Sequence, residues 1–386
     1  MSLEFFVIVF VIITSVLWYL KRGSSTKTMR RTQKTVAQRS QLSTAKIRSI
    51  NTVIQAPVRL IPEINNNQNS VVKNSNDLMN FTLLPFDALD RNQQQKINEI
   101  SQCCRQPNPL LLNLTSGELE AKELISLIKS DPEMTAKIIN TVNSSLFSLR
   151  QPIESIHHAI VFMGVTSVRS IALQFILQQS VPFKDEAQSA AYKRIWLSSY
   201  IASSLVFLIA KHLNKENAAE LSTLCLLISL GDMTMLSYQP SIANTYLGKT
   251  SLLERVENVQ SSLGLNSAVI GKALAEQWQL PTSIVSGIAT SLTPLINKQL
   301  NRVMPHEEAQ NTLLCYLSCR LGDLIAFEGV SDIFKVEDDG LAALCGSDFA
   351  YIQTNIEQLA LEQVSQLFRD ASFINKAKRL IAQVAA

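Results

Sequence analysis

Four histidines are the residues of this chain that are best suited to acid–base chemistry or to metal binding. His157 and His158 are adjacent, and neighbours on a helix diverge by about 100°, so the two cannot clamp one ion. They are expected to be a partly exposed pair, or one hydrogen-bonded and one exposed residue. His212 ends an apolar run, where a cation complements a helix dipole, and His306 follows Pro305 at the start of another helix. The spacing of the four therefore predicts no metal site.

Two pairs of cysteines are the other candidates for chemistry. Cys315 and Cys319 are four residues apart and would share one face of a helix, where two thiolates can hold a soft metal ion. The other half of a four-ligand zinc site is missing, however, and cysteine is a common small core residue. Cys103 and Cys104 are adjacent, which disfavours an ordinary disulfide. Structural roles are therefore expected for both pairs.

Other catalytic signatures are absent from the sequence. It contains no G-x-S-x-G, no P-loop, no G-x-G-x-x-G and no Cys–His pair at a motif spacing. A cyclic-dinucleotide site usually needs arginines near aromatic residues, and Arg150, Arg169 and Arg194 lie in separate segments. That distribution neither supports nor excludes such a site.

The elements that would position these residues are helices. Glycine and proline contribute only 12 residues each to a chain of 386, well below the roughly 12% that is average for the two together. The uncharged run between Arg194 and Lys211 is expected to be a buried helix, and no stretch alternates with the period of a strand. The sequence therefore predicts an all-α fold, with a helical domain over 95–300 and a helical extension over 301–386.

One helix start is well marked. Asp131 is an N-cap, and the proline that follows it takes the first helical position. Met134, Ile138 and Val142 then recur every fourth residue, so they are predicted to form the core face of that helix.

The N-terminal residues 5–20, FFVIVFVIITSVLWYL, carry no charge. Sixteen residues at the helical rise span about 24 Å, somewhat short of a hydrocarbon core of roughly 30 Å. Trp18 and Tyr19 suit the interface, and the two cations that follow can extend to it. A cleaved signal peptide would need a basic n-region and a small-x-small cleavage site, and both are missing. Residues 4–21 are therefore predicted to be a single-pass transmembrane signal-anchor helix.

The charges around this span predict its orientation. Glu4 precedes it, whereas residues 21–59 contain ten Lys or Arg and no acid. The positive-inside rule then places the N-terminus outside and the bulk of the protein in the cytoplasm. The six cysteines agree, since their spacing is not that of a disulfide framework.

Residues 22–80 are polar, first basic and then rich in Asn, Gln and Ser. Such a stretch buries too little apolar area to offset its ordering entropy, so a disordered linker is predicted. The basic part, residues 21–59, could lie on anionic lipid at about 1 kcal/mol per charge near the surface. Nucleic acid is another partner class for a basic tail, but a charge run that only determines topology is favoured, and no nucleic acid is expected.

Two segments, LISLIKSDPEMTAKIINTVNSSLF and SIHHAIVFMGVTSVRSIAL, resemble the opening of HDOD domains, a bacterial signalling family related to HD-type phosphohydrolases. The blocks RIWLSSYIAS, LLISLGDMTML and IGKALAEQWQLP follow in the family's order and spacing. The resemblance covers roughly residues 97–295 and implies a multi-helix, HD-like domain. The shared residues are Asp131-Pro132, Lys137-Ile138, Asn143-Ser144, Ala159-Ile160 and Gly164.

The resemblance also implies where a divalent metal would bind. HD enzymes use a His of one helix, an adjacent His–Asp pair at the end of another, and a distal Asp. Here Ser198 stands at a frequent His position of the family, and Ile228 and Ser229 stand at the His–Asp pair. Asp232 replaces the Lys that typically follows the pair, and Ser267 occupies another frequent His position. Isoleucine has no lone pair and neutral serine is a poor ligand, so no catalytic residue, metal or cofactor is predicted.

Three functions remain open. The resemblance implies a non-catalytic, membrane-tethered regulatory or scaffold protein of bacterial signal transduction, located in the inner membrane, with signalling proteins as partners. The alternatives are a receiver that binds a nucleotide such as a cyclic dinucleotide, and a metal-dependent phosphohydrolase or phosphodiesterase with an unrecognised ligand set. The candidate docking residues are Asn143, Ser144, Phe147, Asp232 and Trp278. For Trp278 the structural alternative is core packing, and for Asn143 and Ser144 it is termination of a helix by side-chain-to-backbone hydrogen bonds.

Overall fold

The regular elements of the described residues are all helical, as the sequence predicts. The computed structural model describes residues 81–116, 119–143, 151–330, 333–334, 344 and 346–385. The predicted anchor (4–21) and the predicted linker (22–80) lie outside these residues. The α-helices are α1 (Arg91–Gln102), α2 (Leu110–Thr115), α3 (Ala121–Lys129), α4 (Pro132–Val142), α5 (Ile156–Met163), α6 (Val165–Ser180), α7 (Glu186–His212), α8 (Ala218–Leu227), α9 (Leu230–Tyr238), α10 (Ala243–Leu247), α11 (Leu252–Leu263), α12 (Ser267–Gln277), α13 (Thr282–Thr290), α14 (Thr293–Ile296), α15 (His306–Ala326), α16 (Ile352–Gln358), α17 (Glu362–Leu367) and α18 (Ala371–Ala385).

Helix α4 begins where its sequence predicts. The carboxylate of Asp131 accepts hydrogen bonds from the backbone N–H groups of Glu133 and Met134, each at 3.0 Å. Those bonds satisfy two of the donors that a helix start leaves without a partner inside the helix. Met134, Ile138 and Val142 are all fully buried, so the predicted core face is confirmed.

Helix α7 is the centre of the fold. It packs against α15, α8, α10 and α18, and residues such as Ile201, Leu205 and Ile209 are buried along it. Among the described residues, α7 and the segment Ala218–Tyr238 are long and apolar enough to cross a membrane, but 67% and 72% of their apolar windows are buried within the protein. Such burial is typical of core helices.

Helix α15 lies in the sequence-defined extension and shares one hydrophobic core with the residues before 300. Leu313, Leu317 and Leu321 are buried on it. Its close approach to α7 requires Gly322, because a Cβ at this position would overlap the carbonyl oxygen of Ser198.

A second contact ties the extension to the rest of the domain. The carboxylate of Asp348 accepts hydrogen bonds from the first two backbone N–H groups of α11, those of Leu252 (2.6 Å) and Leu253 (3.1 Å). The hydroxyl of Tyr316 on α15 donates to the carbonyl oxygen of Asp348 at 2.8 Å. An acid beside a helix N-terminus is favourable, so Asp348 stabilises the start of α11 from a distant part of the chain.

Candidate functional site

The positions where the family resemblance would place metal ligands lie near one another. Ser198 is buried on α7, Ser229 immediately precedes α9, and Asp232 lies in the first turn of α9. Ser267 begins α12, and its carbonyl oxygen would overlap a Cβ added at Gly231 of α9. The candidate site is therefore a junction of α7, α8, α9 and α12.

Serine hydroxyls pair across this junction. Ser229 lies 2.9 Å, Oγ to Oγ, from Ser199 of α7. One helical turn further along α7, the hydroxyl oxygen of Ser203 lies 2.8 Å from that of Ser222 on α8. Each hydroxyl therefore has a protein partner, and the position of the family's metal-binding Asp is engaged in helix packing.

A buried charge cluster lies beside the serines. The hydroxyl of Ser198 donates to one carboxylate oxygen of Asp323 on α15 at 2.5 Å. The other oxygen pairs with the guanidinium of Arg255 from α11 and, at 2.7 Å, with that of Arg320. The three charged residues, Arg255, Arg320 and Asp323, are each at most 7% exposed. We call them the Arg–Asp–Arg cluster.

The first arginine of the cluster has further partners. Arg255 donates to the carbonyl oxygen of Thr250 at 2.7 Å, and its guanidinium carbon lies 4.2 Å from the centroid of the Phe327 ring. A guanidinium stacked on an aromatic face and paired with a carboxylate is held in one geometry. The guanidinium of Arg255 is therefore held in place at the junction.

Asp232 is the acid nearest to the family's His–Asp position. It is half-buried, and its carboxylate accepts a hydrogen bond from the Tyr246 hydroxyl at 2.6 Å. Burial raises the pKa of Asp232 above its usual value, and the charge of Asp323 adds to this. The Tyr246 hydrogen bond and the charges of Arg255 and Arg320 act in the opposite direction. The net effect is that the pKa of Asp232 lies above the usual value of an aspartate.

These residues do not fit the divalent metal that the resemblance implies. Such an ion needs imidazole nitrogens or anionic oxygens. The available groups are isoleucine at 228 and the hydroxyls of Ser198 and Ser229, which already have partners. The carboxyl of Asp232 accepts from Tyr246, and the carboxylate of Asp323 is paired with two cations. Within the described ranges, no group of three or more His, Cys, Asp or Glu is arranged to hold a metal ion.

The histidines do not meet at this junction. His157 and His158 are exposed on α5, where the sequence predicts a partly exposed pair or a mixed one. His212 ends α7 and makes an edge contact with the Phe373 ring at 5.7 Å between centroids. His306 is exposed at the start of α15.

The cysteines form a contact that sequence spacing did not indicate. Cys225 of α8 lies beside Cys315 and Cys319 of α15, and all three thiols are buried. Burial, followed by the contacts with the other two thiols, raises the pKa of Cys225 well above its usual value. Burial likewise raises the pKa of Cys104 to about 11. Thiols held protonated in this way are poor nucleophiles and poor metal ligands.

The arginines considered for a nucleotide site are engaged within the protein. Arg169 donates through Nε to the carbonyl oxygen of Leu114 in α2 at 2.6 Å. Arg194 donates to three carbonyl oxygens at the C-terminal end of α10, at 3.2, 2.6 and 3.0 Å. Arg150 lies outside the described residues. The structure therefore brings Arg169 and Arg194 to helix ends rather than to a shared pocket.

The candidate docking residues are dispersed. Asn143 ends α4, where its side-chain amide both donates to and accepts from the backbone of Ile153, at 2.6 and 2.7 Å. Trp278 is buried, at 3% exposure. Ser144 and Phe147 lie outside the described residues. A role of these residues in an interaction stays a prediction.

The fold and the site define an all-helical domain in which a buried Arg–Asp–Arg cluster and paired serines fill the junction of the central helices. Residues 108–294 match the family model of the HDOD domain. This part of the chain belongs to the HDOD family, so the resemblance inferred for residues 97–295 is confirmed.

Other comparisons are more distant. The chain is 20% identical over 200 residues to an uncharacterised protein of Treponema pallidum (strain Nichols), and the match covers 50% of this chain but only 37% of that protein. The chain thus spans little more than a third of the length of that curated relative.

Two solved structures show a distant likeness. An HDOD domain protein of unknown function from Geobacter sulfurreducens has 14% identity and a TM-score of 0.41, with 79% of this chain and 96% of that chain covered. A candidate phosphohydrolase from Shewanella amazonensis SB2B has 15% identity and a TM-score of 0.46, with 76% and 97% covered. At these low TM-scores, the phosphohydrolase activity named for the Shewanella amazonensis protein is not assigned to this chain.

Proposed function

We propose that this chain is a non-catalytic HDOD protein that is tethered to the bacterial inner membrane and regulates or scaffolds signalling through contacts with other proteins. The observation that carries the proposal is the Arg–Asp–Arg cluster beside the paired serines. Isoleucine and serine stand at 228 and 229, where the resemblance would place a His–Asp pair. The neighbouring carboxylate of Asp323 is already paired with Arg255 and Arg320.

The electrostatics support this proposal. An arginine remains protonated in proteins, so both guanidinium charges persist at every physiological pH. A divalent cation placed beside them would be repelled, and repulsion between charges is strong where little water can screen it. Asp323 could bind such an ion only by giving up its two partners, which would leave buried cations unpaired.

Metal content and activity provide the test. We expect the purified full chain to contain no stoichiometric Mn, Fe, Mg or Zn by elemental analysis, and to hydrolyse neither cyclic nucleotides nor a chromogenic phosphodiester. The reason is that Ile228 and Ser229 offer no anionic ligand. An Asp232→Asn variant is the matched control, because it removes the one acid in that turn while keeping its shape. Stoichiometric metal with turnover, both lost in Asp232→Asn, would overturn the proposal.

The tether is part of the same proposal. Its support is the uncharged run at 5–20, followed by ten cations and no acid in residues 21–59. Such a charge pattern favours retention of the following segment in the cytoplasm. The linker at 22–80 would then allow the helical domain to explore a layer near the membrane, where a scaffold meets membrane-bound signalling proteins.

A topology assay tests the tether. A fluorescent reporter fused to the C-terminus is expected to be active and to sediment with membranes, whereas an alkaline phosphatase fused at the same place should be inactive. The control lacks residues 1–22 and should appear in the soluble fraction with the same fluorescence. Phosphatase activity of the full-length fusion would show the opposite orientation, and a soluble full-length fusion would exclude the anchor.

A further inference from the structure

The segment 81–86, FTLLPF, which we call the strap, lies against α11 and α12 and leads from the linker toward α1. The backbone N–H of Leu84 donates to Oε1 of Gln260 at 3.0 Å, and Nε2 of Gln260 donates to the carbonyl oxygen of Thr82 at 2.7 Å. Nδ2 of Asn266 donates to the carbonyl oxygen of Leu84 at 2.9 Å. Two side chains thus satisfy the backbone of an extended segment, as a neighbouring strand would.

The side chains of the strap make apolar contacts without deep burial. Its apolar residues other than proline pack against the core but are only half-buried, whereas Thr82 and Pro85 are exposed. The ammonium nitrogen of Lys272 lies 3.3 Å from the centroid of the Phe86 ring, within the range of a cation–π contact. Pro85 has φ −83° and ψ 155°, which keeps the segment extended. The strap therefore lies on the surface of α11 and α12, not in the core. We call the part of this surface that the strap covers the groove.

The groove is held by contacts that do not involve the strap. Gln93 and Lys96 of α1 donate to the carbonyl oxygens of Gly264 and Leu263, at 2.9 and 2.7 Å. These bonds cap the C-terminal end of α11. Asn266 caps α12 by accepting from the backbone N–H of Val269. The two walls would therefore keep their places if the strap left.

We propose that this groove, lined by Gln260, Asn266 and Lys272, is a binding site for an extended, apolar peptide segment of a partner protein. The strap is then an intramolecular ligand of the groove. A partner segment that is likewise extended and apolar displaces it. Gln260 and Asn266 recognise backbone groups that every extended peptide carries, so the apolar contacts and Lys272 provide the selectivity. This inference does not depend on whether the chain binds a metal ion. It would also hold if the chain were not a signalling scaffold.

The displacement is governed by effective concentration. A short tethered segment competes at millimolar levels, so a free peptide should bind weakly to the intact chain. A chain whose strap is weakened by Leu84→Ala and Phe86→Ala should bind a labelled peptide of residues 81–89 at least about tenfold more tightly. Fluorescence anisotropy with the full chain in detergent measures this, and a scrambled peptide reports binding to the detergent.

Two further variants of the strap-weakened chain distinguish specific recognition of the peptide backbone from non-specific binding. Gln260→Met keeps the side-chain length and removes both backbone contacts, so it should reduce binding to the level of the scrambled peptide. Gln363→Met, at an exposed position of α17, is the matched control and should leave binding unchanged. If the strap-weakened chain folds but binds peptide 81–89 no better than the scrambled peptide, the strap only packs on the domain and the groove is not a peptide-binding site.

A second measurement avoids altering the strap. Excess peptide 81–89 added to the unaltered chain should accelerate hydrogen exchange at the backbone amide of Leu84, because the displaced strap loses its hydrogen bond to Gln260. Scrambled peptide should not. An exchange rate that stays unchanged up to millimolar peptide would also overturn the proposal, and this result remains decisive if the double variant does not fold.

Discussion

A chain that ends at Arg302 is expected to lose cooperative unfolding, although it would contain the whole segment that matches the HDOD family. Helix α15 supplies Leu313, Leu317 and Leu321, each at most 1% exposed, to the face of the core that includes α7. Each fully buried leucine contributes about 1.5–3 kcal/mol, so three of them approach the total stability of an average domain, roughly 5–15 kcal/mol.

Polar contacts enlarge the effect of this truncation. Without Asp323, the guanidinium of Arg255 would be left in the junction without its counter-ion. Without Asp348, the first N–H groups of α11 would lose their acceptor. A buried unpaired charge is among the most destabilising changes available to a domain.

The measurement compares two chains that both begin at residue 80, one ending at Arg302 and the other at Ala386. Near-UV circular dichroism and thermal unfolding should show a single sharp transition for the longer chain and a broad or absent one for the shorter. A cooperative transition of similar midpoint in the shorter chain would mean that residues 303–386 form a separate unit with little role in the core.

Local features of this fold could be predicted from sequence because they depend on neighbours in the chain. The cap at Asp131 and the buried face of α4 follow from residues within one or two turns, and the structure confirms both. The scarcity of glycine and proline similarly indicated helices. The family blocks were recognisable because they are short and continuous.

The Arg–Asp–Arg cluster could not be predicted in this way. Arg255 and Asp323 are separated by 68 residues, and neither lies at a position where the family resemblance would place a metal ligand. Their pairing depends on how α11 and α15 meet in the tertiary fold, which periodicity does not specify. The contact of Cys225 with Cys315 and Cys319 was missed for the same reason. The predicted division at residue 300 reflects where the resemblance ends, whereas α15 is packed into the centre.

Replacing Asp323 with asparagine should be the most damaging conservative substitution in the junction. Asparagine keeps the shape and can still accept from the Ser198 hydroxyl, but it removes the charge that both guanidinium groups face. Breaking a buried ion pair on one side costs about 3–5 kcal/mol because the remaining charge is left uncompensated. Urea unfolding of the chain gives this free energy directly. Asp87→Asn, at an exposed position, is the matched control and should change stability by less than about 0.5 kcal/mol.

The role of the cluster is tested by replacing all three residues together. A variant with Arg255→Met, Arg320→Met and Asp323→Leu removes every charge and retains similar volume. Since the desolvation penalty of buried ions is then absent as well, this triple variant should be more stable than Asp323→Asn alone. If Asp323→Asn costs no more than Asp87→Asn, the cluster is solvated and a cation could still enter the junction. A large single cost with recovery in the triple variant would instead show that Arg255, Arg320 and Asp323 form a buried charge cluster whose members compensate one another.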